Sequence, residues 1–337
     1  MYLVTNGRLI TRDPDGKGYY EHGAVAYEGS QIVEVGEESA LRAKYADAEI
    51  IDAKGGVIMP ALINAHTHIY SALARGLSIV GNNPTNFYEV LDGTWWAIDR
   101  HLMMDGTRAS ATALYMDSIK QGVTTIFDHH ASYGEIPGTL HTIAEESKRL
   151  GLRSCLCYEV SDRDGEEKCL QAIQENADFI SECEKNKDPM LAAMFGGHAL
   201  FTISDKTFDR MVEANNGRTG YHIHVSEGMN DVYDSLQNYG RRPVQRLQDH
   251  GILGEKTILG HCIHVNTAEM EIIKETGTMV VNNPESNMGN AIGICPVLQL
   301  HKRGILLGMG TDAYTNDMLE SLKVALCSQR SQNCLPN

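Results

Sequence analysis

The stretch Gly55-Gly-Val-Ile-Met-Pro60-Ala-Leu-Ile-Asn-Ala-His66-Thr-His68 decides the fold. Within it, an apolar run over Val57–Ile63 follows two turn-forming glycines and ends in a His-x-His motif. Side chains two residues apart on a strand point to the same side, so His66 and His68 can converge on one cation. The stretch therefore predicts a buried strand that delivers two imidazoles at its carboxyl end.

Seven further short apolar runs alternate with helical stretches downstream, which is typical of βα units around a parallel sheet. They are Thr124–Phe127, Arg153–Tyr158, Ala192–Phe195, Tyr221–Val225, Thr257–Leu259, Thr278–Val281 and Ile305–Met309. With the first run they make eight, the number of strands in an α/β protein of the (β/α)₈ TIM-barrel type. The sequence therefore predicts one such barrel.

Polar side chains follow several of these runs at the point where each predicted strand ends. Run five ends in His222-Ile-His224-Val-Ser-Glu227, run six in His261-Cys262, and run eight in Gly310-Thr-Asp312. The carboxyl ends of barrel strands form the active-site face, and buried imidazoles or carboxylates need partners. Nitrogen and oxygen ligands without cysteine favour Zn²⁺, with Fe²⁺ and Mn²⁺ as alternatives.

Residues 1–56 lack the alternating pattern. Short strand candidates are separated there by turn formers such as Asn6-Gly7, Asp13-Pro-Asp-Gly16 and Glu28-Gly29. These strands are too few to close a sandwich, and an open sheet of two or three strands is marginally stable in water. We therefore expect a small β unit over residues 1–56, followed by the barrel over residues 57–337.

Composition excludes several classes of function. The 337 residues carry 29 Lys+Arg and 44 Asp+Glu, a net charge of −15, and 42% of them are hydrophobic, which rules out a disordered polyelectrolyte. The acidic surplus disfavours nucleic acid and anionic membranes as partners. We find neither a membrane-spanning apolar run nor a signal peptide, and no Cys-x-x-Cys pair among eight cysteines, so we expect a cytoplasmic protein without disulfides.

The Gly55–His68 stretch, the His-x-x-Glu motif after run five, the lone His261 and Gly-Thr-Asp312 together resemble the amidohydrolase superfamily. Within it they resemble the deaminase and chlorohydrolase branch. The resemblance spans the whole chain and implies a distorted (β/α)₈ barrel with a small β-sandwich made from both termini. It also implies that this chain lacks the carboxyl-terminal sandwich strands, and we expect a longer form that contains them to be more stable.

The resemblance implies one metal site and three further functional side chains. The metal ligands would be three histidines and one aspartate, namely His66, His68, His224 and Asp312. Asp312 would also take a proton from the attacking water, and Glu227 would protonate a ring nitrogen of the substrate. His261 would hydrogen-bond the water or the developing tetrahedral oxygen, and His198 would contact the substrate. Run four ends in Phe195-Gly-Gly-His198 without a bridging lysine or glutamate, so one divalent ion is expected, Zn²⁺ first.

The leading hypothesis is therefore a zinc hydrolase that attacks an amidine-like carbon of a purine- or pyrimidine-type heterocycle and releases ammonia. The partner is a small heterocyclic substrate, and the oligomer we expect is a homodimer. A cyclic-amide (hydantoinase-like) hydrolase or a chlorohydrolase is the alternative. From another class, a non-catalytic metal-binding or assembly protein of selenium or purine metabolism stays open, although retention of Glu227, which is not a ligand, argues against it.

Other segments receive plainer interpretations. His129-His130 after run two are expected to have a structural role, with lining of the pocket as the alternative. Asn287 is expected to brace its loop, with substrate contact as the second role. Asp162–Lys168 is interpreted as a solvated turn and helix start. The aromatic residues of the loop after run one, which include Trp95 and Trp96, could either cover the pocket or belong to the core.

Overall fold

Five strands in the first unit of the computed structural model form one sheet. The chain divides into two units, the first being Met1–Ala61 and the second beginning at Leu62, and the structure describes residues 1–334. The elements of the first unit are β1 (Tyr2–Ile10), β2 (Tyr19–Glu28), β3 (Gln31–Glu37), α1 (Glu38–Lys44), β4 (Glu49–Asp52) and β5 (Val57–Ile58). The strand order is β3-β2-β1-β4, and β5 also pairs with β1. Leu3, Ala24 and Ala26 of this sheet form a small core with Leu41 of α1.

The first apolar run was predicted as one strand over Val57–Ile63, and this is wrong. Val57–Ile58 pairs in parallel with β1 of the first sheet, whereas a separate strand, β6, begins at Leu62 and ends at Thr67. Pro60 lies between them and lacks the N–H that a continuous ladder requires. The His-x-His motif nevertheless lies at the end of β6, where it was expected.

The second unit contains two parallel sheets, and the last strand of one is followed almost directly in the chain by the first strand of the other. Its strands are β6 (Leu62–Thr67), β7 (Val123–Asp128), β8 (Arg153–Leu156), β9 (Leu191–Ala193), β10 (Phe195–Ala199), β11 (Tyr221–Val225), β12 (Ile258–His261), β13 (Met279–Asn282) and β14 (Leu307–Met309). Strands β6 to β9 form one sheet and β10 to β14 the other, each in chain order. Only Met194 separates β9 from β10, so the two behave as one strand that changes its pairing partner.

The last strand position returns to the first. Thr67 and Asp312 form a parallel bridge, and the backbone N–H groups of Thr311 and Asp312 both donate to the His66 carbonyl at 3.0 Å. Eight strand positions therefore follow one another in chain order and meet again, which is the arrangement of a (β/α)₈ barrel. The predicted barrel is confirmed, and the divided fourth strand is its distortion.

Helices lie between and after the strands of the second unit. They are α2 (Phe87–Val90), α3 (Trp96–Asp99), α4 (Met104–Lys120), α5 (Thr139–Leu150), α6 (Glu166–Asn186), α7 (Asp205–Asn215), α8 (Met229–Tyr239), α9 (Pro243–Asp249), α10 (Thr267–Glu275), α11 (Pro284–Gly289), α12 (Val297–Lys302) and α13 (Met318–Asn333). Local sequence sets several ends: Ser204 accepts from the Thr207 N–H, and Asn266 and Glu269 form a capping box. None of the helices within residues 1–334 is both long and apolar enough to cross a bilayer.

Asn176 on α6 holds two adjacent strand positions together from within the core. Its Oδ1 accepts from the backbone N–H groups of Tyr158 and Gly196 at 2.9 and 3.0 Å. Its Nδ2 donates to the carbonyls of Tyr158 and Ala172 at 2.8 and 3.0 Å. The side chain is fully buried, so all four hydrogen bonds are shielded from water.

We expect Asn176→Leu to lower the free energy of unfolding by at least about 3 kcal/mol, because each buried backbone group left unpaired costs about 1–3 kcal/mol. Denaturant unfolding followed by circular dichroism measures the change. Asn186→Leu, at the exposed end of the same helix, is the matched control and should change stability by less than about 0.5 kcal/mol. Equal losses in the two variants would contradict a bracing role for Asn176.

Candidate metal centre and active site

The four ligands predicted from the sequence lie together at the carboxyl ends of the strands. One nitrogen or oxygen atom from each of His66, His68, His224 and Asp312 lies within 4.8 Å of the others, and all four residues are buried. His68 Nε2 is 2.9 Å from Asp312 Oδ1 and 3.2 Å from His224 Nε2. His66 Nε2 is 3.4 Å from the same Asp312 oxygen.

Backbone carbonyls fix the orientation of two of the imidazoles. His68 Nδ1 donates to the His129 carbonyl at 2.6 Å, and His224 Nδ1 donates to the His198 carbonyl at 2.7 Å. A carbonyl oxygen only accepts, so each ring carries hydrogen on Nδ1 and turns Nε2 toward the centre. Burial lowers the pKa of His224 well below its usual value. Burial also acts to lower the pKa of His68, but Asp312 raises it to about 10, so a proton and a metal ion would compete for this Nε2.

His66 provides the clearest test of whether a metal ion fits. Its Nδ1 is 2.8 Å from His222 Nε2, whereas its own Nε2 is buried and has no hydrogen-bond partner among the described residues. Burial lowers the pKa of His66 to about 3, so the ring is neutral. With its one hydrogen on Nδ1, donated to His222, Nε2 holds a free lone pair. A cation at the centre would satisfy this nitrogen. Three imidazole nitrogens and one carboxylate oxygen at this spacing fit a divalent metal ion.

A second carboxylate lies beside this donor set. Glu227 follows β11, its side chain is 14% exposed, and its Oε1 is 3.5 Å from His261 Nε2. Burial and the neighbouring Asp312 carboxylate raise the pKa of Glu227 well above its usual range. Burial acts in the same direction on Asp312, but the neighbouring His66 and His68 rings outweigh it and hold the pKa of Asp312 well below its usual range. Two carboxyl groups with opposite shifts are the pattern of a general acid and a general base.

His261 is oriented by Asn287, for which loop bracing was expected. His261 Nδ1 donates to Asn287 Oδ1 at 2.8 Å, and Asn287 Nδ2 donates to Asn282 Oδ1 at 3.2 Å. Asn287 therefore fixes the ring of His261 and leaves Nε2 of that ring directed toward Glu227.

The backbone at three of these strand ends adopts left-handed conformations. The φ angles are 50° at Ser226, 67° at His261, 49° at Cys262 and 56° at Asp312. Residues other than glycine occupy this region at a cost of about 1–3 kcal/mol each, and such residues cluster at active sites. The strain lies at the ends of β11, β12 and β14, where the chain delivers Glu227, His261 and Asp312.

An aromatic-walled cavity opens beside the metal centre. Its polar wall includes His68, His224, Glu227, Asp312, Glu159 and His198. Its aromatic wall consists of Tyr70, Phe87, Trp95, Trp96 and Tyr314. Tyr88, in contrast, is 47% exposed and packs edge-on against Trp96, so most of the loop aromatics line the pocket.

A buried ion pair positions Trp96, and it corrects one expectation. Arg163, placed by sequence in a solvated turn, is only 5% exposed and pairs with Asp99 at 2.5 Å. Its guanidinium lies 5.1 Å from the centroid of the Trp96 ring and 4.2 Å from that of Tyr133. Trp96 is the first residue of α3 and Asp99 is the last, so the ion pair connects this helix to the segment after β8.

Glu159 and His222 were not predicted as parts of the site, and a structural role was expected for His129. His129 donates from Nδ1 to Glu159 Oε1 and from Nε2 to the His222 carbonyl, both at 2.9 Å. Glu159 directly follows the predicted third strand run, so the rule that located the other strand-end residues could have found it. His130 Nε2 contacts Ser132 Oγ at 3.0 Å, and its ring packs edge-on against Tyr158.

Comparison with known proteins adds an independent line of evidence. The model of the Amidohydrolase family matches residues 57–337. The 5'-deoxyadenosine deaminase of Methanosarcina barkeri is 30% identical over 328 residues, 96% of this chain and 72% of that protein. The 5-methylthioadenosine/S-adenosylhomocysteine deaminase of Syntrophobacter fumaroxidans is 31% identical over 313 residues, 92% of this chain and 68% of that protein.

Solved structures share the fold at lower identity. An adenosine deaminase from Xanthomonas campestris with bound zinc has a TM-score of 0.83 and 23% identity, over 99% of this chain and 74% of that one. The Escherichia coli guanine deaminase has a TM-score of 0.85 and 18% identity, over 99% and 80%. The atrazine chlorohydrolase of Arthrobacter aurescens, complexed with zinc, has a TM-score of 0.82 and 22% identity, over 99% and 78%.

Proposed function

Because the chain belongs to the amidohydrolase family, we propose that it is a metal-dependent deaminase that hydrolyses a C–N bond of a cyclic amidine in a nitrogen heterocycle and releases ammonia. One observation carries the proposal: a four-residue donor set for a divalent ion shares a cavity with Glu227, a carboxylate outside that set. A site that only stored metal would have no use for a second, proton-holding carboxylate facing the same space.

The ion we propose is a single Zn²⁺, held by His66, His68, His224 and Asp312. The nitrogen-rich donor set and the zinc named for two structural neighbours support this choice. When bound, zinc supplies a nucleophile at neutral pH by lowering the pKa of its water to about 7. A second cluster, formed by His68, His129, Glu159 and His224, shares two of these histidines, and their Nδ1 atoms already donate to carbonyls, which favours one ion.

The side chains divide the proton transfers between them. Asp312, whose Oδ2 accepts a hydrogen bond from Ser286 Oγ, would take the proton of the attacking water. Glu227 would hold its proton until the ring nitrogen of the substrate accepts it. His261 Nε2, which carries a lone pair because Nδ1 donates to Asn287, would accept a hydrogen bond from the water and orient it.

The substrate we propose is a purine- or pyrimidine-type ring. Relatives named for deamination of adenosine derivatives support this class. The aromatic wall of the cavity supports it as well, because stacked and edge-on aromatic contacts favour flat rings. The expectations of a cytoplasmic location, a homodimer and a role in purine or selenium metabolism stay predictions.

A substrate screen tests the proposal. Zinc-loaded protein is incubated with aminopurines, aminopyrimidines, hydantoins and chlorinated triazines, and ammonia, ring-opened acids and chloride are measured. Ammonia from an amino-heterocycle with kcat/KM of about 10⁴ M⁻¹s⁻¹ or more is the expected result. A ring-opened product alone would establish the cyclic-amide alternative, chloride release the chlorohydrolase alternative, and metal binding without turnover the non-catalytic one.

A further inference from the structure

Two side chains on the cavity wall face each other without bonding. Glu159 Oε2 and His198 Nε2 are 3.8 Å apart, which exceeds hydrogen-bonding distance. Their side chains are 3% and 7% exposed, and both line the cavity beside the metal centre. Neither belongs to the four-residue donor set, and neither takes part in the proton transfers assigned to Asp312 and Glu227.

His198 presents an acceptor to the cavity. Its Nδ1 is 2.7 Å from Thr202 Oγ1. The Thr202 hydroxyl donates its only hydrogen to the Ala199 carbonyl at 3.0 Å, so Oγ1 can only accept and His198 Nδ1 must donate. Nε2 lies 3.8 Å from Glu159 Oε2, beyond hydrogen-bonding distance. In the neutral ring with its hydrogen on Nδ1, Nε2 carries a lone pair, and His198 lines the cavity.

Glu159 presents the second acceptor. His129 Nε2 faces a backbone carbonyl and must donate there, and its Nδ1 donates to Glu159 Oε1 at 2.9 Å. The carboxylate is thus anchored through Oε1. Within residues 1–334, no protein group forms a hydrogen bond with Oε2. Two buried acceptors, with no donor between them, consequently form one stretch of the cavity wall.

We propose that Glu159 and His198 act as a pair of hydrogen-bond acceptors that selects the substrate. The pair selects heterocycles that turn ring N–H donors toward this part of the cavity wall. The inference rests on the proposed function and narrows its substrate class. A ring that turns lone pairs or alkylated nitrogens toward this wall would leave both buried acceptors unpaired. Sites built to hydrogen-bond a substrate N–H reject analogues that lack it far more strongly than apolar pockets reject a misplaced methyl group.

Methylated bases test the pair directly. Guanine is compared with 1-methylguanine and 9-methylguanine, cytosine with 1-methylcytosine, and adenine with 9-methyladenine. With zinc-loaded protein, we expect one methylation of the best substrate to lower kcat/KM by about 100-fold or more. Kd values from calorimetry should change in the same direction.

Two variants and a matched control separate recognition from structure. Thr202→Val removes the acceptor that keeps the hydrogen of His198 on Nδ1, and Glu159→Gln places an amide N–H where an acceptor was. Each variant should reduce the discrimination between N–H and N-methyl forms at least about tenfold, mainly through KM. The zinc content of both should be unchanged. Glu175→Gln makes the same chemical change at a buried carboxylate on α6 that accepts from Gly138 and Leu140 N–H groups. Glu175→Gln should lower thermal stability and leave the discrimination between N–H and N-methyl forms unchanged.

The outcomes keep the inference distinct from the proposed function. Equal turnover of the N–H and N-methyl forms would overturn the inference and leave the deaminase proposal intact. If no amino-heterocycle of the substrate screen releases ammonia, the deaminase proposal fails, and calorimetry decides the inference: tighter binding of N–H forms supports it, and equal binding overturns it. If Glu159→Gln loses zinc, Thr202→Val alone decides.

Discussion

Glu227→Gln is expected to lower kcat/KM by about 10²–10⁴-fold, the usual contribution of a positioned general acid or base. Glutamine has nearly the same shape, but it cannot release a proton to the ring nitrogen of the substrate. Glu227 borders the cavity and lies 3.5 Å from His261, so the substitution alters proton transfer at the place where the substrate would sit. Steady-state ammonia release on the best substrate of the screen measures the effect.

Two controls show that the loss is chemical. Zinc content of the variant should equal that of the wild type, because Glu227 is not among the four ligand residues. Glu175→Gln, the buried control introduced above, should keep kcat/KM close to that of the wild type. If Glu227→Gln retained kcat/KM within about threefold, the assignment of the acid would be wrong.

Metal removal is expected to abolish turnover and to destabilise the fold. A ligand that binds only the folded state stabilises it by about 4 kcal/mol at a free concentration a thousandfold above Kd. The centre gathers three buried imidazoles and a buried carboxylate, and the Nε2 of His66 has no other partner among the described residues. Dialysis against a chelator should therefore lower Tm, and stoichiometric Zn²⁺ should restore both Tm and activity.

Elemental analysis and one variant complete this test. The loaded protein should contain one zinc ion per chain, and a ratio of two would contradict the single site. His66→Ala should bind zinc weakly, so its Tm should respond little to the chelator. An unchanged wild-type Tm after complete removal of zinc would show that the four side chains are held by the protein alone.

The strand ends explain why much of the barrel and its centre could be predicted. Ligands such as His66 and Asp312 are adjacent to apolar runs, so their place on the carboxyl face follows from a local pattern and the barrel rule. Amphipathic alternation and capping residues likewise depend on neighbours in sequence. The divided first run was the exception, because Pro60 interrupts strand hydrogen bonding within a stretch whose apolar pattern is continuous.

Long-range polar contacts could not be predicted in the same way. Arg163 is charged and lies among other charged residues, so its sequence context indicates solvent, yet Asp99 meets it from another segment and makes burial tolerable. The orientation of His198 depends on Thr202 and on a carbonyl that also accepts from that threonine. Such arrangements are set by tertiary packing, which leaves no periodic trace in the sequence.

The left-handed backbone at Ser226, His261, Cys262 and Asp312 limits how this pocket could be redesigned. Glycine, asparagine and aspartate enter that conformation readily, whereas β-branched residues resist it. A mutant library that varied these positions would mix defects in folding with changes in selectivity. Substitutions at Tyr70 and Trp95, whose φ angles are not in that region, would instead change the shape of the cavity wall. The backbone at the strand ends, and the side chains that it positions, would stay as they are.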